Sequence, residues 1–251
     1  VSRTVVVHPD PQALATVTAA RLIVTLVDAQ SVRRPAHVVL TGGTVGIAVL
    51  AEVAASPLRA AVDWTGVHVW WGDERFLPDG HEDRNETQAR RALLDHVPIP
   101  AENVHAVPAA DAPGVGSPED AAARYADELA RFAEGAGSDD VGAAVPRFDV
   151  LLLGMGPDGH IASLFPGHEA VNVLDRTVVG VHGSPKPPPE RVSLTFPAID
   201  AADEVWLVVA GAEKAEPAAR GLSGDDVART PAAGALGRTR TLWLLDVAAA
   251  G

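Results

Sequence analysis

The sequence predicts an α/β fold built on a mostly parallel sheet with helices on both faces. Strand-like and helix-like runs alternate from one end of the chain to the other. Runs such as Val150 to Leu153 are continuously apolar, as strands buried on both faces are, and they break abruptly into glycine. At 251 residues and 47% apolar composition the chain has ample material for one cored domain, expected to span 1–251.

Thr4 to His8 reads as the first strand. Asp10 followed by Pro11 is a helix start, and Leu14, Val17, Val24 and Val27 fall on one face, so Pro11 to Ala29 is a helix packed on the sheet. His37 to Leu40 is the second strand; it runs into Thr41, Gly42, Gly43 and Thr44 before the helical run Val45 to Ala55. Glycines permit close approach and a helix N-terminus offers unpaired N–H groups, so this junction suits an anion, although an ordinary strand-to-helix turn looks the same. It is not a Walker loop, because no Gly-Lys-Ser/Thr follows.

Val67 to Trp71 is the third strand, ending in Gly72, Asp73, Glu74 and Arg75, a charged group that reads equally as a solvated loop or a substrate site. Pro78 to Arg84 continues as polar loop, a helix capped at or beside Asn85 runs to about Leu94, and Pro98 stops it. Pro108 to Ser117 is a linker, Ser117 to Asp120 open a helix reaching about Phe132, and Gly135 to Pro146 is a surface loop by composition.

Phe148 to Gly167, FDVLLLGMGPDGHIASLFPG, is a strand that hands Asp158 and His160 to a glycine-rich turn. Strand ends are the usual ligand crevice of such folds, which makes His160 the first catalytic candidate. The alternative is a tight turn in which Asp158 caps a following helix. Gly154, Gly156 and Gly159 match GxGxxG with Asp175 at dinucleotide spacing, but Pro166 and Gly167 end any helix within two turns of Gly159, so a dinucleotide site is excluded. Asp158, His160 and His168 can be arranged around a metal, yet nothing else nearby has ligand spacing. His8, His37, His68 and His105 sit in or beside strands without polar company and read as structural.

Thr177 to Val181 reads as a strand, Gly183 to Glu190 as a rigid proline-rich loop carrying Lys186, and Arg191 to Thr195 as extended. Glu204 to Val209 is a buried strand and Ala212 to Arg220 a helix with Lys214 in its first turn. A cation there opposes the helix dipole unless an anion also binds at the helix start. Gly221 to Gly237 is turn-rich, and Thr241 to Leu245 closes the sheet.

A net charge of −13 argues against nucleic acid as a partner. An anionic ligand must therefore be held locally, by backbone N–H groups and a few cations, and Lys186 and Lys214 are the only lysines. The absence of cysteine removes thiolate chemistry and fits a reducing compartment. No signal peptide is visible and no apolar run approaches membrane-spanning length, so a cytoplasmic protein without a membrane partner is expected.

The segments LTGGT, WWGDERFLP followed by Asn85, LLLGMGPDGHIASLFPGHE, SPKPPPERVSLTFPAI and VVAGAEKAE carry a resemblance, in order and over almost the whole chain. They resemble the 6-phosphogluconolactonases of the glucosamine-6-phosphate isomerase/6-phosphogluconolactonase family. The resemblance implies a three-layer α/β/α, modified Rossmann-like fold of the glucosamine-6-phosphate deaminase type. It implies hydrolysis of 6-phospho-D-glucono-1,5-lactone in the oxidative pentose phosphate pathway, with no metal or organic cofactor; a phosphorylated sugar lactone is the expected partner, and no protein partner is predicted. Carried over residue by residue, it makes His160 the base that activates water, with Asp158 supporting the site. Arg75 lies beside the substrate, binding phosphate or steadying developing charge. Gly42, Gly43 and Thr44 fall on the phosphate loop and Lys214 on the phosphate-binding lysine, with Arg191 a third cation and Asp73 and Asn85 near the sugar.

The rival activity within the family is deamination of glucosamine-6-phosphate, and a sugar-phosphate sensor without catalysis is a second alternative. The deaminase pattern continues after DGHIA with Asn-Glu-Pro, whereas here Leu164, Phe165 and Pro166 follow Ser163. Phe165 thus stands where a carboxylate would support the histidine, and it can neither accept a proton nor orient an imidazole ionically.

Overall fold

The computed structural model describes residues 3–133 and 144–251, so most of the Gly135 to Pro146 loop lies outside the described residues. Six parallel strands form the main sheet in the order β1 (Arg3–His8), β9 (Arg240–Asp246), β8 (Glu204–Val209), β5 (Val150–Gly154), β2 (Ala36–Leu40), β3 (Val67–Trp71). Every residue of β2 is buried, as is Val150 to Leu153 of β5, which is what strands covered on both faces require. The last strand does not close the sheet: β9 is inserted between β8 and β1, and β1 forms the edge.

Helix α1 (Pro11–Val32) starts where expected, with the Asp10 carboxylate accepting a hydrogen bond from Ala13 N, and runs three residues further than predicted. By length and composition α1 is apolar enough to cross a membrane, a point the sequence reading missed. Its Leu14, Leu22, Ile23 and Leu26 are instead buried in the core, where the helix packs on α2 (Gly43–Ala55) and on β9. α3 (Asn85–Ala92) packs on α2, and α4 (Pro118–Arg131), capped by the Ser117 hydroxyl, reaches the Trp71 backbone through the Tyr125 hydroxyl.

A second, three-stranded antiparallel sheet was not foreseen. β4 (Asp73–Arg75) pairs with β7 (Arg191–Leu194), and β7 with β6 (Val178–Val181). Asp73, Glu74 and Arg75 have none of the alternation that marks a strand, and their partner lies far along the chain, so nothing local announces the pairing. The chain changes sheets at Gly72, which donates to Leu40 O in the main sheet and accepts from Leu194 N in the second. α4 covers β6 and β7, while α5 (Phe196–Ile199), α6 (Ala215–Ser223) and α7 (Val247–Ala250) complete the chain.

His37 of β2 and His68 and Trp70 of β3 belong to a cluster that corrects the reading of His37, His68 and His105 as lacking polar company. Trp70 stacks on His105 with ring centroids 3.8 Å apart, and Phe132 meets both edge-on. His105 Nδ1 is 2.9 Å from Glu128 Oε1, its Nε2 is 2.8 Å from His68 Nδ1, and Trp70 Nε1 donates to His37 Nδ1. A neutral ring suits each of these bonds. Burial, with repulsion from His68, pushes His37 down to about 3, and burial also lowers His68 and His105.

Unfolded imidazoles take up protons near pH ~6.5, whereas His37 in the fold does so only near 3. The unfolded state therefore binds more protons between these limits, and stability falls as pH drops through that window, by up to about 1.4 kcal/mol per pH unit for His37 alone. Urea unfolding at pH 7 and at pH 5 should show this loss. His37→Gln, which keeps an acceptor for Trp70, should show less of it.

Candidate active site

The chain runs from β2 to β3 in one direction across the sheet and from β5 to β8 in the other, so β2 and β5 flank the point where the strand order reverses. A crevice opens at the C-terminal ends of strands at such a point. The two strand ends are tied together by Gly154 N, which donates to Thr41 Oγ1. Above them lies a cavity of about 320 Å³ lined by Gly42, Gly43, Thr44, Asp73, Arg75, Asn85, His160, Arg191 and Lys214. The fold thus gathers every predicted site residue except Asp158 onto one wall system. A neighbouring cavity of about 360 Å³ shares Gly42, Gly43, Thr44 and Lys214 but not His160 or Arg75.

Asp158 stands directly behind His160, its Oδ1 2.5 Å from the imidazole Nδ1. Sequence separation alone had not established that contact. No helix follows, so Asp158 is not a helix cap; the chain passes through turns that include Ala162 at φ 47°, a strained conformation for alanine. Gly156 makes the pairing possible, because a Cβ there would come within 2.1 Å of the imidazole and 2.4 Å of the Asp158 carboxylate. Burial opposes ionisation of Asp158, but the hydrogen bond and charge of His160, with Lys186 nearby, outweigh it and hold the carboxyl at about 2. A carboxylate on Nδ1 fixes the tautomer that leaves Nε2 as the basic nitrogen. Phe165, buried, lies against the ring with centroids 4.5 Å apart, as its occupation of the carboxylate position implies.

His168 takes no part in this pair. Its Nε2 donates to His182 O and its Nδ1 accepts from Ala170 N, so both ring nitrogens are engaged elsewhere.

The opposite wall is organised by Glu74, a residue the sequence analysis placed in the charged group without a role. Its carboxylate is 1% exposed and accepts from three backbone N–H groups, those of Arg75, Asn85 and Glu86. This satisfies the N-terminus of α3, which has no side-chain cap of its own. Burial pushes Glu74 up to about 7, against the pull of Arg84 and of those three donors. Asn85, positioned this way, donates Nδ2 to Asp73 O and Oδ1 and accepts from Arg75 Nη1. Gly42 closes on the same amide so tightly that a Cβ would lie 1.9 Å from Asn85 Oδ1. The remaining Asp73 oxygen accepts from Ser163, a fully buried serine that no sequence pattern singles out.

The cations differ in availability. Arg75 Nε is buried without a hydrogen-bond partner among the described residues, although its side chain lines the cavity. Lys214 lies in the 3-10 turn that precedes α6 rather than in the first turn of that helix, and its Nζ donates to Met155 O. Arg191 is 5% exposed and spends its Nε and Nη2 on the carbonyls of Lys186, Pro187 and Pro188. Arg191 still lines the cavity, with its Nη1 3.9 Å from Asp73 Oδ2, and Lys186 lines it as well. An imidazole held by a carboxylate, an uncapped α2 N-terminus and this set of cations can bind a phosphorylated compound and move a proton beside it.

Comparison with known proteins matches residues 9–243 to a family described as glucosamine-6-phosphate isomerases/6-phosphogluconolactonase. A relative from Streptomyces coelicolor named 6-phosphogluconolactonase is 58% identical over 245 residues, covering 98% of this chain and 92% of its own length. The solved 6-phosphogluconolactonase of Trypanosoma brucei superposes with a TM-score of 0.83 at 30% identity, covering 99% of this chain and 98% of that one. A monomeric glucosamine-6-phosphate deaminase superposes with a TM-score of 0.78 at 18% identity, a likeness of fold alone.

Glu74→Gln should destabilise the protein by roughly 1–3 kcal/mol, because one acceptor oxygen becomes an NH₂ facing backbone N–H groups. Urea unfolding reads that loss. The same variant should bind sugar phosphate more weakly, since Asn85 and Arg75 lose their anchor; unchanged stability and affinity would remove Glu74 from this wall.

Proposed function

The chain belongs to the family of glucosamine-6-phosphate isomerases and 6-phosphogluconolactonases, and from that premise we propose that it hydrolyses 6-phospho-D-glucono-1,5-lactone to 6-phosphogluconate, with His160 as the base. The observation that carries this reading is the Asp158–His160 pair backed by Phe165 in a cation-lined cavity. A deaminase needs a further acid or base at the histidine, and a phenyl ring supplies none. A passive sensor needs the cations but not an imidazole locked by a carboxylate.

In this mechanism the phosphate sits at the Gly42, Gly43, Thr44 corner, where the α2 N-terminus and Lys214 meet. His160 Nε2 takes a proton from water as the water oxygen bonds to C1, and the carbonyl electrons move onto its oxygen. Collapse of that tetrahedral species re-forms the carbonyl and breaks the bond from C1 to the ring oxygen, which receives the proton back from His160. One water is consumed and one carboxylic acid and one hydroxyl are formed, so no redox partner is required. Asp158 stabilises the imidazolium between the two proton transfers. Asp73 and Asn85 shape the sugar side of the cavity, and Arg75, with its unpartnered Nε, offers a fixed cationic fork. The anionic substrate is drawn to a locally cationic pocket in a protein of net charge −13.

His160→Ala should lower kcat about 10²–10⁴-fold while product binding persists. Freshly generated lactone should turn over and glucosamine-6-phosphate should not, with spontaneous hydrolysis subtracted. Deamination by the wild type, or full lactone turnover by His160→Ala, would refute the reading. Since Asp158 stays ionised above about pH 4, Asp158→Asn should lower the rate across the whole accessible pH range rather than shift one limb.

A further inference from the structure

We propose that Lys186 is a catalytic residue of this site, the cation that receives the negative charge developing on the lactone carbonyl oxygen. The inference rests on the hydrolase reading above and adds to it the group that steadies the tetrahedral species. Of the other cations on this cavity, Arg75 already spends Nη1 on Asp83 O and Asn85 Oδ1, and Lys214 spends Nζ on Met155 O.

The first support is position. Lys186 lines the cavity that contains His160 and is absent from the neighbouring cavity that shares the phosphate corner. Its Nζ is 4.0 Å from Asp158 Oδ1, the oxygen that holds the His160 imidazole. Lys186, Asp158 and His160 therefore form one charge row on the reacting side of the cavity. The loose 4.0 Å approach leaves the ammonium hydrogens available to a carbonyl oxygen, whereas a tight ion pair would consume them.

The second support is the way the lysine is held. Lys186 sits on a loop of four prolines, Pro185 and Pro187 to Pro189, which carries few backbone N–H groups and little conformational freedom. The buried Arg191 guanidinium gathers the carbonyls of Lys186, Pro187 and Pro188. Ser184 fixes the same turn, donating to Lys186 O, accepting from Lys186 N, and closing the loop from its own N–H to Pro189 O. Burying a guanidinium to hold three carbonyls is a costly way to shape an ordinary surface turn. It is reasonable if the turn must present an ammonium group in one place, because stabilisation of developing charge depends on a donor that needs no reorganisation. Arg191 is then a positioning residue for Lys186. Partial burial also lowers the Lys186 pKa, with Lys214 and Arg191 adding repulsion and Asp158 opposing it; a less firmly solvated ammonium is a stronger partner for an oxyanion.

The test is steady-state kinetics of Lys186→Met, Lys186→Arg and Arg191→Lys in the full chain on 6-phosphogluconolactone. The Lys186 side chain is 39% exposed, so its variants should keep the wild-type thermal midpoint. Lys186→Met should lower kcat about 10²–10³-fold with KM changed less than about threefold, and Lys186→Arg should recover at least about tenfold of that loss. Arg191→Lys should lose less than Lys186→Met, again in kcat. A loss confined to KM would make Lys186 a phosphate ligand and overturn the assignment, as would unchanged kinetics. A wild-type chain inactive on the lactone would instead overturn the hydrolase reading, and the assignment with it.

Discussion

The site depends on one buried carboxylate. Glu74 collects three backbone N–H groups, from β4 and from the first turn of α3, in a place where water cannot serve them. By doing so it fixes the second sheet to the helix that faces the main sheet's crevice. Asn85, Asp73 and Arg75 acquire their positions from that junction, and Gly42 packs against the Asn85 amide with no room for a side chain. A group so nearly enclosed is stable in its charged form only through its donors and Arg84, and removing any one leaves the rest under-compensated.

On the opposite wall the constraint is steric before it is electrostatic. A turn without a Cβ at residue 156 lets the Asp158 carboxylate fold onto the imidazole, and the pair then defines the orientation of His160. Phe165 packs against the ring, with centroids 4.5 Å apart. The cations around the cavity concentrate positive potential in a strongly acidic protein, which favours an anionic ligand there over the rest of the surface.

Much of this was legible in the sequence, and the exceptions have a common cause. Parallel strands buried on both faces leave continuous apolar runs, and helix starts such as Asp10–Pro11 and Ser117–Pro118 carry their own capping chemistry. His160 and the Thr41 to Thr44 loop could be found because they sit at strand ends beside glycines, whereas Arg75, Asp73, Asn85, Arg191 and Lys214 were named through the family resemblance. What escaped was non-local: β4 pairs with a strand from the far half of the chain, Glu74 caps a helix eleven residues on, and the buried Ser163 donates to Asp73 ninety residues away. Only the folded loop, for the same reason, shows that Arg191 Nε and Nη2 are occupied by carbonyls and that Lys186 lines the cavity beside Arg191. The histidines of the Trp70 cluster looked alone because their partners come from β2, β3 and α4 together.

The central claim, that His160 removes a proton from water as C1 is attacked, is tested most directly by the solvent deuterium isotope effect on kcat/KM for lactone hydrolysis, corrected for the spontaneous reaction. A normal effect, clearly above unity, is expected in the wild type, with a rate in His160→Ala too low to carry one. An effect of unity in the wild type, at a rate below the diffusional limit, would contradict it, because no proton would then be moving in the step that limits attack.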